Sequence, residues 1–138
     1  LHDYANLYFT ARNPMMFKHK AECFDLCVLR VSIQIFELEG VVFTDRNAAS
    51  AYARFFRVQD GIKGMNFDMI YADDWRHPGD DARFWAHKSI KCAEVLVPNV
   101  VETRFITGAY VYDETSRSRV ASLWPELPSV VNKAIFFG

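Results

Sequence analysis

Apolar and polar positions along this chain fall into short runs rather than long stripes. Tyr4 to Phe9 reads as a strand, and Asn13-Pro14 closes it, because the residue before a proline is pushed out of the helical region. Met15, Met16 and Phe17 make an apolar step ahead of the basic Lys18-His19-Lys20. Leu26 to Ile35 alternates, with Cys27, Leu29, Val31 and Ile33 on one face and Arg30, Ser32 and Gln34 on the other, which predicts a strand. Gly40 permits a turn before Val41-Val42-Phe43-Thr44, a short buried strand. Asp45 or Asn47 is placed to cap a helix over Ala48 to Phe56. Gln59 to Gly64 reads as a loop or irregular turn, and Phe67 to Tyr71 is ambiguous. The polar stretch Asp73 to Asp81 carries turn signals and one tryptophan expected at the surface, Trp75; Asp80 or Asp81 then caps a helix through Lys88. Glu94 to Val97 is a strand, and Phe105 to Tyr112 is another, broken by Gly108. Thr115 or Ser116 starts a helix through Leu123, which Trp124-Pro125 ends, and Val130 to Phe137 is apolar with no clear period.

Several strands interleaved with short helices, and no GxGxxG loop after any of them, make this an α+β chain and not a doubly wound nucleotide fold. Its 138 residues suit one domain with a sizeable core. A hydrophobic fraction of 51% and an aromatic fraction of 15% argue for packing over disorder, and leave rings to spare for stacking on bases. A net charge of −1 argues against coating nucleic acid through charge alone, but permits a local basic groove. Three cysteines, Cys23, Cys27 and Cys92, cannot all pair with one another, which suits a reducing cytoplasm. His19, Cys23 and Cys27 are spaced four apart, but that spacing is not a common zinc pattern and Cys27 reads as core, so no metal is expected. No apolar run is long enough to span a bilayer, and no membrane partner is expected. The chain opens on Leu1 with what reads as mid-domain sequence, and the expectation is that an N-terminal segment is missing or was processed off.

Ionised groups in apolar runs need a partner or a task. Glu94 stands in such a run, Ala93-Glu94-Val95-Leu96-Val97-Pro98; it is either a strand glutamate facing solvent or a carboxylate at a site. Arg12 precedes Asn13-Pro14-Met15-Met16, a stiff apolar turn that holds a guanidinium with little entropy loss, as a fixed contact to phosphate or carboxylate requires; the alternative is a surface arginine. Asp45-Arg46-Asn47 lies between a strand and the expected helix. Backbone N–H groups there, with Arg46 beside them, favour an anionic ligand; the alternative is a plain cap with a solvated arginine. Trp75-Arg76-His77-Pro78 suits stacking on a base, or is an ordinary loop around a half-buried ring. His87-Lys88 belongs either to a site near Glu94 or to a solvated helix face. There is no GxSxG, HExxH or P-loop.

Long segments in order, LHDYANLYFTARNPMM, CVLRVS, VVFTDRNAAS, DWRHP and HKSIKCAEVLVP with GAYV after it, resemble the DarT family of DNA ADP-ribosyltransferase toxins. The resemblance runs from Leu1 to about Val111. It implies an ADP-ribosyltransferase-like split core of mixed and antiparallel strands with short helices, and NAD as co-substrate in the cleft. It implies transfer of ADP-ribose onto a base, thymidine in the better-known branch, of single-stranded DNA, and a macrodomain-type antitoxin as cellular partner. It places the family's essential glutamate on Glu94 and its active-site arginine on Arg12. Arg12, Arg46 and Asn47 become candidates for NAD contact, and Arg46, Trp75, Arg76, His77, His87 and Lys88 for DNA contact. The family's NAD-gripping histidine motif near the N-terminus has no counterpart here, since His2 stands too close to the strand before Arg12. Residues 1–138 are thus expected to form one domain that lacks this NAD-binding segment. The alternatives are a transferase with a protein or RNA acceptor, and a catalytically silent nucleic-acid-binding remnant.

Overall fold

The computed structural model describes residues 3–138; His2 lies outside them. In chain order the strands are β1 (Tyr4–Tyr8), β2 (Cys27–Val31), β3 (Val42–Thr44), β4 (Phe55–Arg57), β5 (Glu94–Pro98), β6 (Ile106–Val111) and β7 (Ser129–Val131). The α-helices are α1 (Pro14–Lys18), α2 (Val58–Gly64), α3 (Phe67–Tyr71), α4 (Asp81–Ile90) and α5 (Glu114–Leu123). The strands form the split α+β core that the sequence led us to expect. One sheet is antiparallel in the order β1-β5-β3-β4; the other is mixed, in the order β2-β6-β7, with β6 and β7 parallel.

β5 lies between β1 and β3, and its first four residues are buried. Val95 and Val97 turn to the main core with Phe43, Ile35, Ile70 and Phe105. Phe43 meets Phe9 and Phe36 edge-on at 5.0 and 4.9 Å, a preferred aromatic geometry. Leu7 pairs with Val95 and Tyr8 with Glu94, so Asn6, Tyr8 and Glu94 stand on the face opposite this core.

Several local expectations are corrected. No helix forms over Ala48 to Phe56: residues 49–52 form turns, and Phe55–Arg57 is β4, with Phe56 opposite Phe43. Asn47 accepts from the Ala49 N–H and Ser50 from the Tyr52 N–H, local bonds that compete with a helix. Conversely, the expected loop from Gln59 to Gly64 is helix α2. It packs on β3 and β4 at Gly61, where an added Cβ would come 2.7 Å from the Phe43 ring. The strand expected over Leu26 to Ile35 stops at Val31, because the Ser32 hydroxyl accepts from the Gln34 N–H and opens a 3-10 turn. Cys27, read as core, is exposed on this sheet edge, and Cys23 is buried. Gly108 does not break β6; a Cβ there would meet Arg30 Nη2 at 2.9 Å and the Pro128 carbonyl at 3.1 Å, so glycine permits the close packing. α5 is capped by Asp113, one residue ahead of Glu114, rather than by Thr115 or Ser116.

Candidate active site

Glu94 is 5% exposed and opens β5. Its Oε2 accepts from the Asn6 side-chain amide on β1, and its Oε1 accepts from the Ala48 N–H at 3.3 Å. Its own N–H donates to Thr44 Oγ1 at 3.0 Å, and that hydroxyl donates to the Arg46 carbonyl at 2.7 Å. Two segments therefore hold the carboxylate oxygens, as a buried charge requires, and Thr44 fixes its backbone. Opposite it, the Tyr8 phenol is pushed up by burial and by the nearby Cys92 and Glu94.

The turn after β3 aims Ala48 at Glu94. Buried Asp45 anchors this turn: it accepts from the Arg54 N–H and Nε, both at 2.9 Å, and from Arg46 Nε and Nη2 at 3.2 and 3.3 Å. Burial raises its carboxyl, but the Arg54 N–H and the two guanidinium groups outweigh burial and hold it below the usual range. The sequence leaves Asp45-Arg46-Asn47 either a plain helix cap with a solvated arginine or a helix start open to an external anion. Its Ala48 N–H is instead turned to the protein's own carboxylate.

A cavity of about 1090 Å³ is lined by Asn47 and Ala49, the chain neighbours of the Ala48 that donates to Glu94. Its wall includes Arg12, Asn47, Trp75, Arg76 and Lys88, so five of the nine residues singled out in the sequence line one space. Glu94 is set back from that wall, two residues after the wall residue Cys92. The Cys92 thiol is pushed up by burial and by Glu94, while the Met15 N–H, Lys88 and Lys91 pull it down. Arg12 Nη1 donates to the carbonyls of Ala134 and Phe136 at 3.1 and 2.9 Å, and its guanidinium lies 4.0 Å from the Phe137 ring centroid. Among the described residues its hydrogen bonds run through Nη1 alone, and none joins it to Glu94. A second cavity, about 560 Å³, separates Leu7 and Val95 of one sheet from Leu29 and Val31 of the other, and Asn6 and Tyr8 reach it.

The segment 71–80 forms another wall and is held from behind by α4. Buried His87 donates from Nε2 to the Met69 carbonyl at 2.8 Å, since a carbonyl can only accept, and its Nδ1 lies 2.9 Å from His77 Nε2. Lys91 is 2% exposed and donates from Nζ to the carbonyls of Ile70 and Ala72 at 2.8 and 2.7 Å. Burial pushes its ammonium down, with Asp73 opposing. These donors satisfy carbonyls at the end of α3, which has no further turn to do so.

Several candidate residues are placed otherwise than their sequence neighbours suggested. Trp75 was expected at the surface but is 8% exposed, packed edge-on against Phe17 and Phe137. His87 is interior, and its two ring nitrogens face protein groups. Arg46 is bound to Asp45 and lies off the cavity wall, while Arg76 reaches that wall paired with Asp74. Sequence reasoning missed Asn6, Thr44, Asp45 as an anchor, Lys91 and the exposed Trp85. A lysine three residues before Glu94 was a usable signal, because helix α4 ends there and turns it inward.

The family described as "ssDNA thymidine ADP-ribosyltransferase, DarT" matches residues 1–136. The chain belongs to the DarT family. It is 31% identical to a DNA ADP-ribosyl transferase–DNA ADP-ribosyl glycohydrolase fusion protein of Thermosipho africanus, over 99% of this chain and 35% of that protein. It is 27% identical to a DNA ADP-ribosyl transferase of Thermus aquaticus, over 94% of this chain and 59% of that one. The chain thus spans between about a third and three fifths of the length of these two relatives. Thermus sp. 2.9 DarT in complex with NAD+ superposes with a TM-score of 0.81 at 25% identity, covering 99% of this chain and 74% of that one. Thermosipho africanus DarTG in complex with ADP-ribose gives 0.79 at 28% identity, covering 98% and 36%. This DarT-family chain has no helix, among the described residues, long and apolar enough to cross a membrane, and no group of three potential metal ligands.

Proposed function

We propose that this chain forms the catalytic core of an enzyme that transfers ADP-ribose from NAD+ onto a thymine base of single-stranded DNA. The observation that carries this reading is Glu94: a buried carboxylate with both oxygens held by donors from two other segments, one of which, the turn at Ala48, also lines the cavity that Arg12 walls. Its support from relatives is that one DarT-family structure is a complex with NAD+ and that the similar proteins bear the name DNA ADP-ribosyl transferase.

The cavity suits a dinucleotide. Its volume is at the upper end of small-molecule sites, about 300–1,000 Å³. The Arg12 guanidinium is fit for a pyrophosphate and the Asn47 amide for a polar ring edge. NAD+ supplies the ADP-ribosyl group through its nicotinamide–ribose bond. Glu94 stabilises the positive charge that grows on the ribose as that bond weakens, as a carboxylate does in glycoside cleavage. Asn6 and the Ala48 N–H keep that carboxylate in place beforehand, so that little reorganisation is needed. Arg12 acts as a fixed positive contact, to phosphate or to the acceptor base. An unpaired strand presents its base without the expense of opening a duplex.

In the cell such a mark calls for a remover, and we take the partner to be an antitoxin glycohydrolase of the macrodomain type. The Thermosipho relative carries a DNA ADP-ribosyl glycohydrolase in its own chain. The test uses protein carrying these 138 residues, labelled NAD+ and single-stranded oligonucleotides that differ in one base. Label on thymidine-containing strands, lost in Glu94→Ala with an unchanged melt, is the expected result. Label on protein or RNA alone would overturn the DNA acceptor, and Glu94-independent label would overturn the site.

A further inference from the structure

We propose that Trp85 is a stacking platform for a nucleobase flanking the one that is modified; this rests on the single-stranded DNA reading above. Trp85 is 62% exposed, on α4, and lines the cavity of about 1090 Å³. Lys88, three residues on and therefore on the same helix face, brings its Nζ to 4.7 Å from the Trp85 ring centroid. Among the aromatic residues described the ring packs edge-on only against its neighbour Phe84, so most of its surface stays open to the cavity and to water. The other tryptophan of this wall, Trp75, is closed off between Phe17 and Phe137 and has no free face to offer.

The charge around Trp85 points to a polyanion. The wall carries four cationic side chains, Arg12, Lys18, Arg76 and Lys88, against two carboxylates, Asp73 and Asp74. The chain as a whole has a net charge of −1, so this is a local excess. Asp74 is engaged by Arg76 at 2.6 Å, which partly cancels both. An aromatic face set among cations is the composition of single-strand channels, where the ring takes a base of any kind and the cations track the phosphates. Trp85 would thus hold the strand in register without selecting its sequence.

The experiment measures transfer to a thymidine-containing oligonucleotide as a function of its concentration, together with binding of the same strand read by fluorescence anisotropy. Trp85→Ala should raise KM for the oligonucleotide about tenfold, within the range for loss of one base stack. Trp85→Phe should recover most of that loss, and Leu123→Ala, on exposed α5, should behave as wild type. Replacing the bases beside the target thymidine by abasic positions should weaken the wild type to the level of Trp85→Ala and leave that variant little changed. Full additivity of the two changes, or an unaltered KM in Trp85→Ala, overturns the platform while leaving the transferase reading intact. Trp85-dependent binding with no transfer in the wild type overturns the transferase reading and keeps the platform. Neither binding nor transfer overturns both.

Discussion

Two loops line the main cavity and are held by buried groups of opposite charge. The loop from Asp45 to Arg54 is gathered around a buried carboxylate, which can only accept, and so collects backbone and guanidinium N–H groups. The segment from Met69 to His77 is gathered around a buried ammonium and an imidazole. Lys91 can only donate and collects carbonyls, and His87 donates to one more. The consequences differ. The first loop delivers an N–H to Glu94, so it supports the group that we assign to bond cleavage. The second delivers Trp75 and Arg76 to the wall, so it shapes the side that we assign to the acceptor. The lesson is that a buried charge here organises backbone, and its sign selects which backbone groups it can organise.

The largest effect is expected at Glu94, which the first loop holds. Glu94→Gln keeps an oxygen for the Ala48 N–H but removes the charge. Transfer should fall on the order of 10²–10³-fold with the melt nearly unchanged. Wild-type labelling by this variant would remove Glu94 from the mechanism.

Arg12→Lys keeps the positive charge but not the planar fork. A loss of one charge-assisted contact, about 1.5–3 kcal/mol, predicts transfer lowered roughly 10- to 100-fold. Kinetics in both NAD+ and oligonucleotide would separate the two ligands, and an unaltered rate would show that charge alone suffices.

Asp45→Asn attacks the first loop. It should cost about 2 kcal/mol in urea unfolding and lower kcat rather than raise KM for DNA. The sign of its pH dependence follows from a folded-state carboxyl held below its unfolded value of about 3.9. Its stabilisation is present above that value and is lost as pH falls through the lower folded value, so the gap between wild type and variant should close on acidification. A gap constant from pH 7 to pH 2 would mean that the carboxylate's charge is not what holds the turn.

Lys91→Met attacks the second loop and should cost less stability than Asp45→Asn, about 1 kcal/mol, because losing two hydrogen bonds is offset by removing a buried charge. Its kinetic signature should be a higher KM for the oligonucleotide with KM for NAD+ retained. Equal changes in both would erase the distinction between the two loops.

The parts of the fold that were legible in the sequence are those with a local cause. β1, β3, β5 and α4 announce themselves through apolar runs and an acidic cap, with Asp80 capping α4 as expected, and α5 was legible except for its cap, Asp113. The region 48–64 was read the wrong way round, strand for helix and helix for loop. There Phe56 pairs opposite Phe43 and Gly61 lies against it, contacts that propensity over a few residues does not contain. The site was legible as a set of residue types, since Arg12, Asn47, Trp75, Arg76 and Lys88 line one cavity. It was not legible as a geometry. Trp75 and Trp85 are both tryptophans in polar surroundings, and only packing made one a buried wall and the other an exposed ring.

Chain-local chemistry was enough for the class of fold, the family, and a carboxylate in a strand too apolar to hold it without donors. These follow from periodicity, from order of segments and from the free energy of burying charge. Which donors meet Glu94 was settled by folding alone, because Asn6 and Ala48 are 88 and 46 residues away along the chain. Folding also decided which cations face the cavity and which, like Lys91, turn inward. Such choices belong to three-dimensional packing: whether a polar group finds water or a partner depends on what the rest of the chain leaves beside it.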